Sequence, residues 1–239
     1  MTEREKKMLL TKDDYDFLCA CFGDQKPRVK QINYYYDTSD LQMNRQSITC
    51  RIRLKDGKFK ATMKKHSANA EESIETDLNS CTDLEHNAFT EMGLKLMGVL
   101  ITERCVIGHA HGCEVVLDRN EYLGHSDYEL EIEYTAEHGN DAQTILQIVQ
   151  DLLRLKACLT PDKAKGTPPR AVPCKSQRFF AAMIDEQANA ESSDGWDADD
   201  YVNSDFDAVV LCEHVCQICV HFRPPHCTSP SGTCRYELS

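Results

Sequence analysis

Asp127-Tyr128-Glu129-Leu130-Glu131-Ile132-Glu133-Tyr134 is the stretch on which the fold turns. Its strict alternation reads as a β-strand, because successive strand side chains point to opposite faces. Glu129, Glu131 and Glu133 share one face; Tyr128, Leu130, Ile132 and Tyr134 share the other. Three like charges in a row repel, so this face either opens to water or has something cationic over it. Taken alone, a solvated face is the simpler reading.

Other segments change that balance. In Glu3-Arg4-Glu5-Lys6-Lys7, a strand over 2–9 puts Glu3, Glu5 and Lys7 on one face. In isolation a charged, frayed terminus explains that pentapeptide better. Thr49 to Lys55 alternates again, and Asp56-Gly57 supplies a hairpin turn into Lys58–Lys65. Arg51, Arg53 and Lys55 then share a face, as do Lys58, Lys60, Thr62 and Lys64. A solvated hairpin accounts for these rows as well as a ligand does, but an oligophosphate would supply the counter-charge they lack: guanidinium groups fork onto phosphate oxygens and lysines act as mobile point charges.

Further strands are expected at Gln31–Asp37, at Glu71–Leu78 with Ser73, Glu75 and Asp77 in phase, at Leu100–Ile107 carrying Arg104, and at Glu114–Asp118, with Asn120–Gly124 as a turn. Helices are expected after a Thr11 N-cap, with Tyr15, Leu18 and Phe22 as the apolar stripe; over Thr82–Met97, with Leu84, Ala88, Phe89, Met92 and Leu96; and over Ala142–Leu155, capped by Asp141. A loop over Thr160–Pro173 leads to Cys174-Lys175-Ser176-Gln177-Arg178-Phe179-Phe180. Seven or eight strands with charge on one face do not suit a barrel filled by apolar side chains. They suit an inside-out one, α+β in class, whose charged faces line a wet tunnel while helices cover its outside.

At 239 residues, 41% of them hydrophobic, the chain can bury one good core with length to spare. The polar N-terminus and the lack of any run of about 18 apolar residues point to a cytoplasmic protein with no membrane partner. The net charge of -12 is uneven: residues 179–239 hold 2 of the 27 basic and 11 of the 39 acidic residues. That acidic end argues against nucleic acid as a partner.

Taken in order, Glu3-Arg4-Glu5-Lys6-Lys7, Tyr34-Tyr35-Tyr36-Asp37-Thr38, Arg51-Ile52-Arg53, Ala61-Thr62-Met63-Lys64, Thr102-Glu103-Arg104, Leu117-Asp118, Glu129 to Glu133 and Lys175-Ser176-Gln177-Arg178-Phe179 resemble the segments of the CYTH superfamily, the triphosphate tunnel metalloenzymes. The likeness, to a bacterial CYTH-domain protein with a Cys-rich C-terminal extension, covers residues 1–182. It implies an eight-stranded antiparallel β-barrel tunnel with flanking helices. It also implies hydrolysis of a triphosphate, with Mg2+ or Mn2+ activating the water that attacks a terminal phosphate. On this resemblance Glu3, Glu5, Lys7 and Glu131 are catalytic. Lys7, Arg51, Arg53, Lys64, Arg104 and Lys175 hold phosphate, and Glu3, Glu5, Asp118, Glu129, Glu131 and Glu133 lie on the metal side. The chain departs from the family at Ser73, where many members carry a glutamate ahead of the one at Glu75. Inorganic triphosphate is the first substrate expected, since the sequence offers no base- or thiamine-binding pocket; Tyr34–Tyr36 read as packing. Thiamine triphosphatase and class IV adenylate cyclase activity are the enzymatic alternatives, and a non-catalytic polyphosphate-binding module is the alternative from another class.

Beyond residue 182 an acidic linker is expected over 183–208 and a Cys-rich unit over 209–239. Of 13 cysteines, Cys212, Cys216, Cys219, Cys227 and Cys234 crowd this end. In a chain read as cytoplasmic such thiols read as metal ligands before disulfides. Cys216, Cys219, Cys227 and Cys234 would make a tetrahedral structural Zn2+ site, with Cys212, His214, His221 and His226 as competing ligands. Such a unit suits docking, to a protein partner or to the tunnel domain itself, better than chemistry.

Overall fold

A computed structural model describes residues 2–23, 25–67, 71–78, 83–159 and 172–192. Eight strands, β1 (Thr2–Leu10), β2 (Arg28–Asp37), β3 (Ile48–Lys55), β4 (Lys58–His66), β5 (Glu72–Asp77), β6 (Lys95–Ala110), β7 (Cys113–Tyr122) and β8 (His125–Tyr134), form a closed antiparallel barrel in the order β1-β5-β4-β3-β2-β6-β7-β8. Closure leaves no edge strand among them. The N-terminus is not frayed: β1 pairs with both β5 and β8, so the two ends of the sheet meet there.

The hydrophobic core lies outside the barrel. Leu117 and Val115 of β7, with Leu130 and Ile132 of β8, face outward and meet Tyr15 and Leu18 of α1 (Lys12–Leu18) and Ala142 and Val149 of α4 (Gly139–Leu159). A second cluster fills one end of the bore. Phe179, Phe180 and Met183 of α5 (Lys175–Ser192) pack against Tyr35, Leu100 and Tyr122. Phe179 reaches so far in that a Cβ on Gly98 would lie 2.6 Å from its ring, so only glycine fits there. The bore is thus blind at the α5 end.

Several expectations need correction. No helix spans Thr82–Met97: among the described residues there is a single turn, α3 (Ala88–Glu91), fixed by the Asn87 capping box. Gly93, at φ 79, then ends it and β6 begins at Lys95. Only Phe89 of the proposed stripe is fully buried, while Met92 and Leu96 are exposed. Phe22 is exposed as well, because a π turn over Cys19–Gly23 widens the helix after Leu18 and rotates it off the core face. Helix α4 starts at Gly139, before Asp141, whose carboxylate meets His138 Nδ1 at 3.0 Å. Strand β7 continues through Asn120 to Tyr122, leaving only Leu123 and Gly124 for the turn. A further short helix, α2 (Gln42–Arg45), is anchored by the buried Asp37 carboxylate, which accepts from the Met43 and Asn44 N–H groups.

Candidate active site

Register puts the charged rows face to face inside the barrel. Across β1 and β8, Glu5 stands opposite Glu133 and Lys7 opposite Glu131; across β4 and β5, Lys64 stands opposite Glu75; Asp118 of β7 lies between Arg104 of β6 and Glu129 of β8. Directly opposed residues of an antiparallel pair point the same way, so these side chains share the bore. The bore holds a chamber of ≈ 100 Å³, and a vestibule of ≈ 700 Å³ shares Glu3, Glu5 and Glu133 with its lining.

Within the chamber cation meets carboxylate almost throughout. Lys175 Nζ, projecting from the first turn of α5, lies 2.8 Å from Asp118 and 2.9 Å from Glu131 and also contacts Glu129. Arg104 binds Asp118 (Nε to Oδ1, 2.9 Å) and Glu133 (2.8 Å) and contacts Glu131. Lys7 spans Glu5 at 3.0 Å and Glu131 at 2.9 Å, and Lys64 spans Glu3 at 2.7 Å and Glu5 at 3.3 Å. Arg178, one helical turn beyond Lys175, bonds Asp127 at 2.7 Å and Glu129 at 3.0 Å.

Proton affinities follow from this pairing. Burial penalises the Glu131 carboxylate, but Lys175, Lys7 and Arg104 outweigh it and hold the group well below the usual range. Glu3 and Glu5 are also lowered, against burial, chiefly by Lys64 and by Lys7 respectively. Glu133 goes the other way: burial raises it, opposed by Arg104 and reinforced by Glu131.

The arginine side of the chamber is less satisfied. Arg51 reaches Glu75 only at 3.4 Å, and its buried Nε has no hydrogen-bond partner among the described residues. Arg53 donates from Nε to Asn33 Oδ1 at 2.9 Å. Its guanidinium is pushed down by burial and by Arg51 and Arg104, though it stays protonated at neutral pH. Two guanidiniums thus crowd one wall of the chamber, Arg51 also donating from Nη2 to Thr62 Oγ1 at 3.3 Å. Opposite them Asp118, Glu129 and Glu131, all buried, present carboxylate oxygens within 4.8 Å of one another. An all-oxygen set of this kind suits a hard divalent cation, and the place among them is taken here by the Lys175 ammonium.

The interior is a charged bore, blind at one end, with guanidiniums on one wall and clustered carboxylates on the other. The chain belongs to the CYTH domain family, whose profile matches residues 1–165. It is 27% identical over 146 residues to "Putative triphosphatase YjbK" of Bacillus subtilis (strain 168), a match covering 55% of this chain and 76% of that one. A crystal structure of a "putative adenylate cyclase" from Bacillus halodurans superposes with a TM-score of 0.54 at 26% identity, covering 74% of this chain and 97% of that one. The same fold recurs in a Hippeastrum protein titled a "putative adenylyl cyclase" with "a dominant triphophatase activity", at TM-score 0.50 and 17% identity over 76% of this chain and 95% of that one.

Glu3, Glu5, Lys7, Arg51, Arg53, Lys64, Arg104, Glu131, Glu133 and Lys175 all border the chamber, and Asp118 and Glu129 lie beneath Lys175. Sequence reasoning passed over Arg178, Asn33 and the pair Cys174 and His66. Arg178 was recoverable, since Lys175 and Arg178 are three apart on a helix and share a face. Asn33 and His66 carried no periodic or charge signal. Tyr35 and Tyr36 pack, against Phe179 at 5.1 Å and Phe89 at 5.4 Å between ring centroids. Ser73 sits opposite Glu3, buried, with no partner for its hydroxyl among the described residues. Of the linker expected over 183–208, residues 183–192 are instead the end of helix α5, with Met183 buried; its remainder and the proposed zinc ligands Cys216, Cys219, Cys227 and Cys234 lie outside the described residues. No described helix is long and apolar enough to cross a membrane.

Proposed function

We propose that this protein hydrolyses the terminal phosphoanhydride of a triphosphate, inorganic triphosphate foremost. The observation that carries the reading is the opposition, in one blind chamber, of Arg51, whose buried Nε has no partner among the described residues, and its neighbour Arg53 to the Asp118, Glu129 and Glu131 cluster. Arg51, Arg53, Lys64 and Arg104 would grip phosphate oxygens, with Lys7 and Lys175 changing partner from carboxylate to phosphate as substrate enters. Glu3, Glu5, Asp118, Glu129, Glu131 and Glu133 would hold Mg2+ or Mn2+. When bound, such an ion supplies Lewis acidity toward the phosphoryl oxygens and the attacking water.

The protein's own contribution is placement. Phosphoryl transfer asks mainly for an aligned substrate and compensated charge, and a rigid barrel with cations fixed on four strands meets both needs. The α5 plug excludes water from the far end, so attack comes from the vestibule side. Inorganic triphosphate is favoured because the chamber is narrow and charged and Tyr35 is committed to packing. The vestibule, lined by His109, Glu133 and Tyr134 among others, supports a second reading in which an organic triphosphate leaves its base or thiazole there.

Phosphate release from tripolyphosphate, thiamine triphosphate and ATP with Mg2+ or Mn2+, together with an assay for cyclic nucleotide, separates these readings. Glu131→Gln should remove hydrolysis by at least about a hundred-fold with the fold retained, on the scale of removing a group that holds transition-state charge. A wild-type protein that binds tripolyphosphate without turning it over is instead a binding module.

A further inference from the structure

The reaction above leaves unused a thiol and an imidazole that border the same chamber. Cys174 immediately precedes α5. Its N–H donates to Gln177 Oε1 at 2.9 Å and its carbonyl accepts from the Arg178 N–H at 3.0 Å, which makes it the N-cap of an 18-residue helix. The half-buried Sγ lies 3.6 Å from His66 Nε2 and 3.1 Å from Ser176 Oγ. The ring of His66 is steadied by Thr49, whose Oγ1 is 3.0 Å from Nε2 and 2.7 Å from Ser176 Oγ. Two strands and a helix N-terminus therefore converge on one sulfur.

Each of these features favours a thiolate. The free N–H groups and dipole of a helix start stabilise an anion, an imidazole within reach shares its proton, and the Lys7 ammonium across the chamber adds to both. Burial resists ionisation, but the His66 and Ser176 contacts outweigh it, and the thiol is pushed down to about 6. Cys50, Cys105 and Cys113 are shifted the other way by burial, with no such partners to reverse it.

We propose that Cys174, with His66 as its positioning partner, is a hydroperoxide-reactive thiol whose oxidation reversibly closes the phosphate chamber; the closing half rests on the triphosphate reading above. The Cys174 thiolate attacks one peroxide oxygen: an S–O bond forms, the O–O bond breaks, sulfur loses two electrons, and the departing hydroxide takes a proton from solvent to leave as water. The resulting sulfenic acid then condenses with a low-molecular-weight thiol, forming S–S and releasing water. The adduct would lie in a chamber of only ≈ 100 Å³, and excess thiol would remove it by exchange.

The test uses the full-length protein at pH 6, well below the range in which ordinary thiols ionise. A thiol at about 6 is then about half ionised and an ordinary one near 8.5 about 0.3%, while the lower nucleophilicity of the weaker base returns roughly ten-fold of that advantage. Alkylation by iodoacetamide, and trapping of peroxide-oxidised protein with dimedone, followed by peptide mass mapping, should therefore mark Cys174 about ten-fold faster than the exposed Cys21 and Cys158. His66→Gln should move the pH midpoint of Cys174 alkylation upward, a change that loosened packing alone would not produce. Peroxide with glutathione should abolish calorimetric binding of tripolyphosphate in the presence of Mg2+, dithiothreitol should restore it, and Cys174→Ser should bind within about two-fold of wild type and ignore the oxidant. Labelling of Cys174 no faster than of Cys21 and Cys158, or an unmoved midpoint in His66→Gln, overturns the reactive pair. Oxidised protein that binds tripolyphosphate as tightly as reduced overturns the closure. If reduced wild type fails to bind tripolyphosphate at all, the triphosphate reading and the closure fall together, while the labelling still decides the thiol.

Discussion

Replacing Lys175 with methionine isolates the electrostatics of the bore, because the side chains are similar in length and little cavity is created. The ammonium lies against Asp118, Glu129 and Glu131, whose side chains are 0%, 0% and 3% exposed. Removing one partner from a buried ion cluster costs about 3–5 kcal/mol, chiefly through the uncompensated charge left behind. Here the lower figure applies: Arg104 still holds Asp118 and Glu131, Lys7 still holds Glu131, and Arg178 still holds Glu129. Urea unfolding at pH 7 should accordingly show Lys175→Met less stable by about 3 kcal/mol. Burial raises the Glu131 proton affinity while Lys175, Lys7 and Arg104 lower it, so losing the lysine moves that group back up from its depressed folded value. The stabilisation the lysine lends Glu131 is complete above the unfolded carboxylate range near 4 and is lost as pH falls through the depressed folded value, so the gap to wild type should hold from pH 7 to about pH 4.5 and narrow below about pH 4. A divalent cation taking the vacated place would, at 100 times its Kd, return about 2.7 kcal/mol. A variant as stable as wild type at pH 7, or one indifferent to Mn2+, would refute the view that these carboxylates depend on a cation.

Two more predictions concern acid and zinc. Glu3, Glu5, Glu131 and Asp127 all have proton affinities lowered on folding, so their stabilisation is complete above the unfolded carboxylate range near 4 and drains away as pH falls through the depressed folded values; circular dichroism should register loss of structure below about pH 4, and a signal flat to pH 2 would contradict it. Purified full-length protein should carry one zinc per chain, lost on removing 205–239 with hydrolysis intact; loss of hydrolysis with that truncation would show that tunnel and tail do not act separately.

What could be read from the chain, and what could not, divides along physical lines. The barrel was legible because its interior is charged: alternating Glu/Leu in 128–134 and Arg/Ile in 50–54 leave a period of two that no helix produces. The segment 83–97 was not, since Leu84, Phe89, Met92 and Leu96 imitate a helical stripe while an Asn87 cap and Gly93 permit one turn only. That the bore is blind was equally hidden. It depends on Phe179 seating against Gly98, a contact across some eighty positions that no local pattern records. Which acid meets which base was also beyond reach, being set by strand register and by the single helical turn that delivers Lys175 and Arg178.

Because nearly every cation in the chamber already has a carboxylate, a phosphate chain can claim those cations only if something else compensates the acids it displaces. Tripolyphosphate and divalent metal must then bind with mutual help, each raising the affinity of the other by the same factor. Isothermal titration of tripolyphosphate with and without saturating Mg2+ measures this directly, using catalytically impaired Glu131→Gln only as a check against turnover during the run. The account predicts at least about ten-fold tighter binding to wild type with the metal, a coupling of about 1.4 kcal/mol or more; equal affinity in its absence would contradict it.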